Sequence, residues 1–190
     1  MNYFYLMKDI LGEEQARHCR NVAEAAVSLA EKYSADKEKA YLAGILHDYG
    51  KKYSGQELIR KAEKLGLGLD RITRQHEKLL HAPAGAALLE AELEISDPEI
   101  LRAVAYHTTG RKGMTLFEKI IYLADHIEEG RSYEGVEKTR ELAFHNLERA
   151  LLAAVDSTIR SVLDRGLLLH PRSVIFRNSL VEEISENENK

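Results

Sequence analysis

Apolar residues in this chain recur at three- and four-residue spacings over most of its length, a rhythm that points to helices. Ala16, Cys19, Val22, Ala23, Ala26, Ala30 and Tyr33 mark one face of an amphipathic helix. Ile120, Ile121, Leu123, Ala124 and Ile127 follow Thr115 and Glu118, which have capping-box spacing. Leu147, Leu151, Ala154, Val155, Ile159, Val162 and Leu163 follow a candidate cap at Asn146 and close at Gly166. Asp97-Pro98-Glu99 reads as an N-cap, a first-turn proline and a first-turn acid. Ser54 and Glu57 predict a further capping box, with Gly66 as the stop of that helix. Of only three prolines, Pro83 and Pro98 fall where helices begin. No segment alternates with period two and no repeat is detectable. The predicted fold is all-α, a helical bundle. A single domain is expected over 1–183, with a polar tail over 184–190 that frays.

A chain of 190 residues suits one domain, and 44% hydrophobic residues suffice for a real core. The net charge of -4 argues against a broad basic face for a nucleic-acid polymer. A phosphate-bearing substrate remains compatible, because bound metals supply positive charge that a residue count omits. Cys19 is the single cysteine, so there is no intrachain disulfide framework and no cysteine-rich zinc site. The opening Tyr3-Phe4-Tyr5-Leu6-Met7 run is too short for a signal core or a membrane span. The expected compartment is cytoplasmic and no membrane partner is expected. The same apolar run offers a surface for a homodimer, or packs into the core.

The chemistry lies in His and Asp residues embedded in, or ending, apolar helical stretches. His47-Asp48 closes Ala40-Tyr41-Leu42-Ala43-Gly44-Ile45-Leu46. His18 shares a helix with Val22 and Ala26; His81 precedes the small-residue run Ala82-Pro83-Ala84-Gly85-Ala86. His107 ends the stretch of Ile100, Leu101, Val104 and Ala105, and Asp125 ends Ile120-Ile121-Tyr122-Leu123-Ala124. A charged Asp in such a setting is costly unless compensated, and a divalent metal is one compensator. Imidazole and carboxylate ligands suit Fe, Mn, Zn and Ni, and a set without thiolates leaves positions open for water and substrate. Read singly, each His is a hydrogen-bonded core residue, Asp125 is half of an ion pair and Asp48 a helix-end cap. Spacing alone does not bring them together.

The order His18, then His47-Asp48, then Asp125 resembles the HD superfamily of metal-dependent phosphohydrolases, which are all-helical. Arg17-His18, Leu46-His47-Asp48-Tyr49-Gly50-Lys51, His81-Ala82-Pro83-Ala84-Gly85, Tyr106-His107-Thr108-Thr109-Gly110, Leu123-Ala124-Asp125 with Arg131, and His170-Pro171 are similar to its bacterial subgroup of symmetrical bis(5'-nucleosyl)-tetraphosphatases. The resemblance implies cleavage of diadenosine tetraphosphate to two ADP. It implies iron, one ion or two, with Mn, Ni, Co or Zn as alternatives, held by His18, His47, Asp48 and Asp125. Asp48 would bridge to a second metal held by His81 and His107, unless these two contact the phosphates directly. Asp48, Lys51, His81 and His107 are the implied catalytic set. Asn21, Lys51, His81, His107, Thr108, Arg131, His170, Pro171, Arg172 and Ser173 are the implied substrate contacts. A metal-activated water would attack phosphorus, with His81, His107, Lys51 and Arg131 balancing the developing charge.

Bland readings stand beside these. Asn21 is equally a solvated helix residue, and Lys51 with Lys52 a solvated pair. His76 and His145 read as structural or solvent-facing. His126, next to Asp125, points about 100° away around a helix. Rival functions are an HD nucleotidase acting on nucleoside monophosphates, a non-catalytic nucleotide- or metal-sensing module, and a helical scaffold whose histidines are core residues. No Gly-Tyr-Pro motif of the cyclic-dinucleotide phosphodiesterases, Walker loop or Rossmann glycine pattern is present.

Overall fold

A computed structural model describes residues 2–189. Among the described residues there are eleven α-helices, one 3-10 turn and no strand. The helices are α1 (Tyr3–Leu11), α2 (Glu13–Lys32), α3 (Lys37–Leu46), α4 (Gly55–Lys64), α5 (Arg71–Gln75), α6 (Glu77–Leu93), α7 (Pro98–Tyr106), α8 (Leu116–Ile127), α9 (Val136–Ala143), α10 (Leu147–Asp164) and α11 (Pro171–Glu188). The 3-10 turn spans Tyr49–Lys52. The all-α expectation holds, and no described helix is long and apolar enough to cross a membrane.

The caps behave largely as their chemistry dictates. Thr115 and Glu118 form a reciprocal capping box at α8, and Asn146 Oδ1 accepts the Arg149 amide at 3.0 Å. Asp97 caps α7 ahead of Pro98. Gly66 and Gly166, at φ of 78° and 62°, take the left-handed turn just past α4 and α10. Ser54 differs: its side chain makes no cap bond, and its backbone carbonyl accepts from the Glu57 amide at 3.2 Å. Pro83 differs too, for it lies inside α6 rather than at its start. The missing amide leaves one turn without its hydrogen bond, while the surrounding small residues pack against the 3-10 turn. The polar end after Glu182 is helical. The helix α11 continues to Glu188, held by Lys119 to Glu183 at 2.5 Å and by an Arg149–Glu188 ion pair. At the N-terminus, Tyr3 and Phe4 pack against the core and Met7 is buried, while Tyr5 stands 60% exposed.

The core of α2, α3, α7 and α8 is built on close approach. Alanine lines the meeting of α2 and α3, and a Cβ on Gly44 would sit 2.6 Å from the Ala23 Cα. The 3-10 turn lies against α6 just as tightly: a Cβ on Gly50 would sit 2.0 Å from the His81 carbonyl oxygen. These contacts fix where His47-Asp48, ending α3, meets His81 on α6. Gly50→Ala is therefore predicted to destabilise the protein by about 3 kcal/mol, the upper end for overpacking. Gly68, whose Cβ position is open, should accept alanine within about 0.5 kcal/mol. Equal melting temperatures for the two variants would refute this account of the packing.

Candidate metal centre

Five elements deliver the six expected His and Asp ligands to one place. Helix α2 carries His18, the end of α3 carries His47 and Asp48, α6 carries His81, the end of α7 carries His107, and α8 carries Asp125. His47, Asp48 and His107 have at most 1% of their surface exposed.

Two of the imidazoles are set by the same device. His47 and His107 cap the C-termini of α3 and α7, where helix carbonyls lack partners. His47 Nδ1 meets the Gly44 carbonyl at 2.7 Å, and His107 Nδ1 meets the Val104 carbonyl at 2.7 Å. A carbonyl only accepts, so each Nδ1 carries a proton and each Nε2 presents a lone pair inward when neutral. His47 Nε2 lies 3.2 Å from Asp48 Oδ2 and 3.9 Å from Asp125 Oδ1, without a hydrogen bond to either. A nitrogen facing two carboxylate oxygens calls for positive charge, from its own proton or from a cation among them: burial works against a charged His47, yet Asp48 and Asp125 raise its pKa.

Asp48 divides the cluster. Its Oδ2 faces His47 and, at 3.6 Å, His18 Nε2; His18 Nε2 is also 3.2 Å from Asp125 Oδ1. Its Oδ1 faces His81 Nε2 at 3.1 Å and His107 Nε2 at 3.8 Å, and makes no hydrogen bond. The ligand atoms of His18, His47 and Asp125 lie within 4.8 Å of one another, as do those of Asp48, His81 and His107. The donor set, nitrogen and carboxylate oxygen with buried unpaired atoms, fits a divalent ion, and the split arrangement fits a bridging Asp48.

The electrostatics agree. Burial works against the Asp48 carboxylate, yet the imidazoles of His47 and His81 hold it well below the usual range. Burial opposes the charge of Asp125 as well, and His18 with Arg131 lowers it strongly. Burial, with His47 and His81 alongside, pushes His107 down to about 3, so it remains a neutral donor at physiological pH.

The cations at the rim sit on the two carboxylates of the cluster. Lys51 Nζ is 2.7 Å from Asp48 Oδ2, and Arg131 pairs with Asp125 Oδ1 while donating Nε to the Asp125 carbonyl at 2.7 Å. Thr108 Oγ1 is buried and unpartnered beside His107. Asn21 does not touch the cluster directly: its Nδ2 donates to Glu128 Oε2 at 3.1 Å. The α11 segment lies apart. His170 caps α11 and its Nε2 lies 3.2 Å from Asp70 Oδ2; Arg172 stands over the Tyr106 ring, and Ser173 is buried. His170, Pro171 and Arg172 line a cavity of about 570 Å³ with Asp70 and Leu168, and none of the six ligands lines it. His126 faces away as expected, stacked on Tyr122 at 4.6 Å.

Two residues of the site were missed from sequence. Gln15 Nε2 donates to Asp48 Oδ2 at 2.6 Å. Glu128, 4% exposed, meets His18 Nδ1 at 3.2 Å and accepts from Asn21 and from the Gly130 amide at 2.6 Å. Its carboxylate fixes the His18 tautomer with Nε2 facing inward. The available signal was position: each lies three residues from a ligand, Gln15 before His18 and Glu128 after Asp125.

The HD domain family profile matches residues 16–130, which contain all six candidate ligands. The chain belongs to the HD domain family. Among its relatives is the symmetrical bis(5'-nucleosyl)-tetraphosphatase of Halalkalibacterium halodurans, 39% identical and covering 94% of this chain and 95% of the relative. The Bacillus subtilis protein of the same description is 38% identical over 92% and 94% of the two chains. A solved structure from Clostridium acetobutylicum, described as a "predicted HD superfamily hydrolase involved in NAD metabolism", superposes with a TM-score of 0.92 at 39% identity, covering 95% of this chain and 96% of the other. In this HD domain, Glu128→Gln is predicted to weaken binding of a divalent ion by about tenfold, at the lower end for residues that orient a ligand. Calorimetric metal titration checks this, and an unchanged affinity would remove Glu128 from the site.

Proposed function

We propose that this chain is a symmetrical bis(5'-nucleosyl)-tetraphosphatase that hydrolyses diadenosine tetraphosphate to two ADP. The observation that carries this reading is the near-full-length match to relatives so described, in a chain that brings a His/Asp cluster together. Under it His18, His47, Asp48 and Asp125 hold iron, or else Mn, Ni, Co or Zn, and His81 with His107 holds a second ion or contacts phosphate. A bound divalent ion supplies a Lewis acid and lowers the pKa of water enough to make a nucleophile near neutral pH.

The chain's own residues supply the rest. Lys51 and Arg131 have side chains 39% and 40% exposed, so each can swing from its carboxylate to a phosphate without crossing the core. Lys51 acts as a point charge and Arg131 as a two-pronged donor on the oxygens that gain charge at the reacting phosphorus. Thr108 Oγ1, buried beside His107 in the chain, is a hydroxyl without a partner. Asn21 acts at one remove, by holding Glu128 against His18. His170, Pro171, Arg172 and Ser173 open α11 beside the cavity of about 570 Å³, where this reading lays one nucleoside. Water adds to one of the two central phosphorus atoms as its bond to the bridging oxygen breaks, and the departing ADP is a tolerable leaving group.

Protein loaded anaerobically with ferrous iron should convert diadenosine tetraphosphate to ADP alone, as resolved by chromatography. Asp48→Ala should lose both the metal and the activity. AMP plus ATP as products would keep the hydrolase but overturn the symmetrical assignment, and full activity in Asp48→Ala would remove the site.

A further inference from the structure

Cleavage at the midpoint of a symmetrical substrate imposes a condition on the site. Two equal nucleoside diphosphate arms must leave the reacting phosphorus in different directions, so the centre needs a receptive surface on each side. The α11 cavity serves one arm under the proposed function, on which this inference rests. A second surface begins at Arg131, whose guanidinium pairs with the ligand Asp125 and also lines a hollow of about 250 Å³. Tyr133, Ser157, Ser161 and Arg165 line it too. Hollows of about 430 and 490 Å³ adjoin it, sharing Tyr133, Ser157, Ser161 and Arg165 between them. Together they form one groove between the loop after α8 and the outer face of α10.

The groove is built for an anion with hydroxyl groups. Ser157, Ser161 and Arg165 stand four residues apart, one row along α10. Thr158 to Arg165 covers about 10 Å of helix, enough to lie along a nucleoside and its nearest phosphate. Setting aside the paired groups, Arg131 with Asp125, Arg149 with Glu188 and Asp156 with Arg177, the lining carries Lys138, Arg160 and Arg165 against the acids Glu134 and Asp164. Arg165 donates Nε to the Ser161 carbonyl at 3.0 Å, and no carboxylate pairs with it or with Arg160 among the described residues. The Tyr133 hydroxyl is buried without a hydrogen-bond partner. Arg160 and Arg165, two guanidiniums without a carboxylate partner among the described residues, leave this wall of the groove ready to take an anion.

We infer that this groove seats the second nucleoside diphosphate arm of the substrate, with Arg131 at the centre and Arg160 and Arg165 on the outer phosphate and ribose. The wild-type protein, with divalent ion present, should therefore bind two equivalents of ADP in calorimetric titration. The double variant Arg160→Glu/Arg165→Glu should bind one. Its KM for diadenosine tetraphosphate should rise about tenfold, the loss of roughly one charge-assisted hydrogen bond, with kcat within about twofold. Ser161→Trp, which fills the groove without altering charge, should act likewise. One ADP equivalent in the wild type, or a KM unmoved in both variants, would overturn the assignment. A wild-type protein that makes no ADP from diadenosine tetraphosphate would instead defeat the proposed function, while the ADP stoichiometry still reports on the groove.

Discussion

The buried carboxylate of Asp48 is the constraint on which the rest of this structure turns. A carboxylate so removed from water stays ionised only among cations and donors. The chain surrounds it completely: Gln15 and Lys51 reach Oδ2, His47 and His18 stand on the same side, and His81 with His107 stands against Oδ1. Serving those contacts requires α2, α3, α6 and α7 to meet at one point. The small residues at Gly44, Gly50 and Gly85 are the means, for each lies where any side chain would hold two backbones apart. Packing and electrostatics here solve a single problem.

Much of this was legible in the sequence. Apolar spacing gave the helical class, and Thr115, Glu118, Asp97, Asn146 and Gly166 marked helix ends where they occur, because capping is local chemistry written in adjacent residues. The His and Asp ligands stood out because a polar group closing an apolar run is locally anomalous. Their convergence was not legible from spacing, since it depends on tertiary contacts, and only the resemblance to HD phosphohydrolases supplied it. Pro83 misled because a proline inside a helix is usually excluded by its missing amide, and here tight packing of α6 on the 3-10 turn outweighs that loss. The helical end of α11 was not legible, because composition there is polar, while Lys119 and Arg149 reach across from α8 and α10 to pair with Glu183 and Glu188. Glu128 and Gln15 were hidden among many surface acids and amides, and only their spacing from His18 and Asp125 set them apart.

The two classes of polar group at this centre sit on different mechanical footings. His47 and His107 are stub-like side chains at helix ends, each pinned by a 2.7 Å bond to a carbonyl of its own helix. His18 is pinned through Nδ1 by Glu128, which is itself held by Asn21 and the Gly130 amide. These imidazoles can rotate little, so their inward nitrogens keep a fixed geometry, which is what a coordination site requires. Lys51 and Arg131 are the opposite: long stems at the rim, half in solvent, whose bonds to Asp48 and Asp125 are exchangeable. The imidazoles are buried and cross-braced, while the rim cations are tethered only at the edge and are free to change partners. The same division explains why the missed residues matter. Glu128 contributes no inward-facing atom, yet without it the one ligand on α2 that is partly open to solvent would lose its bearing.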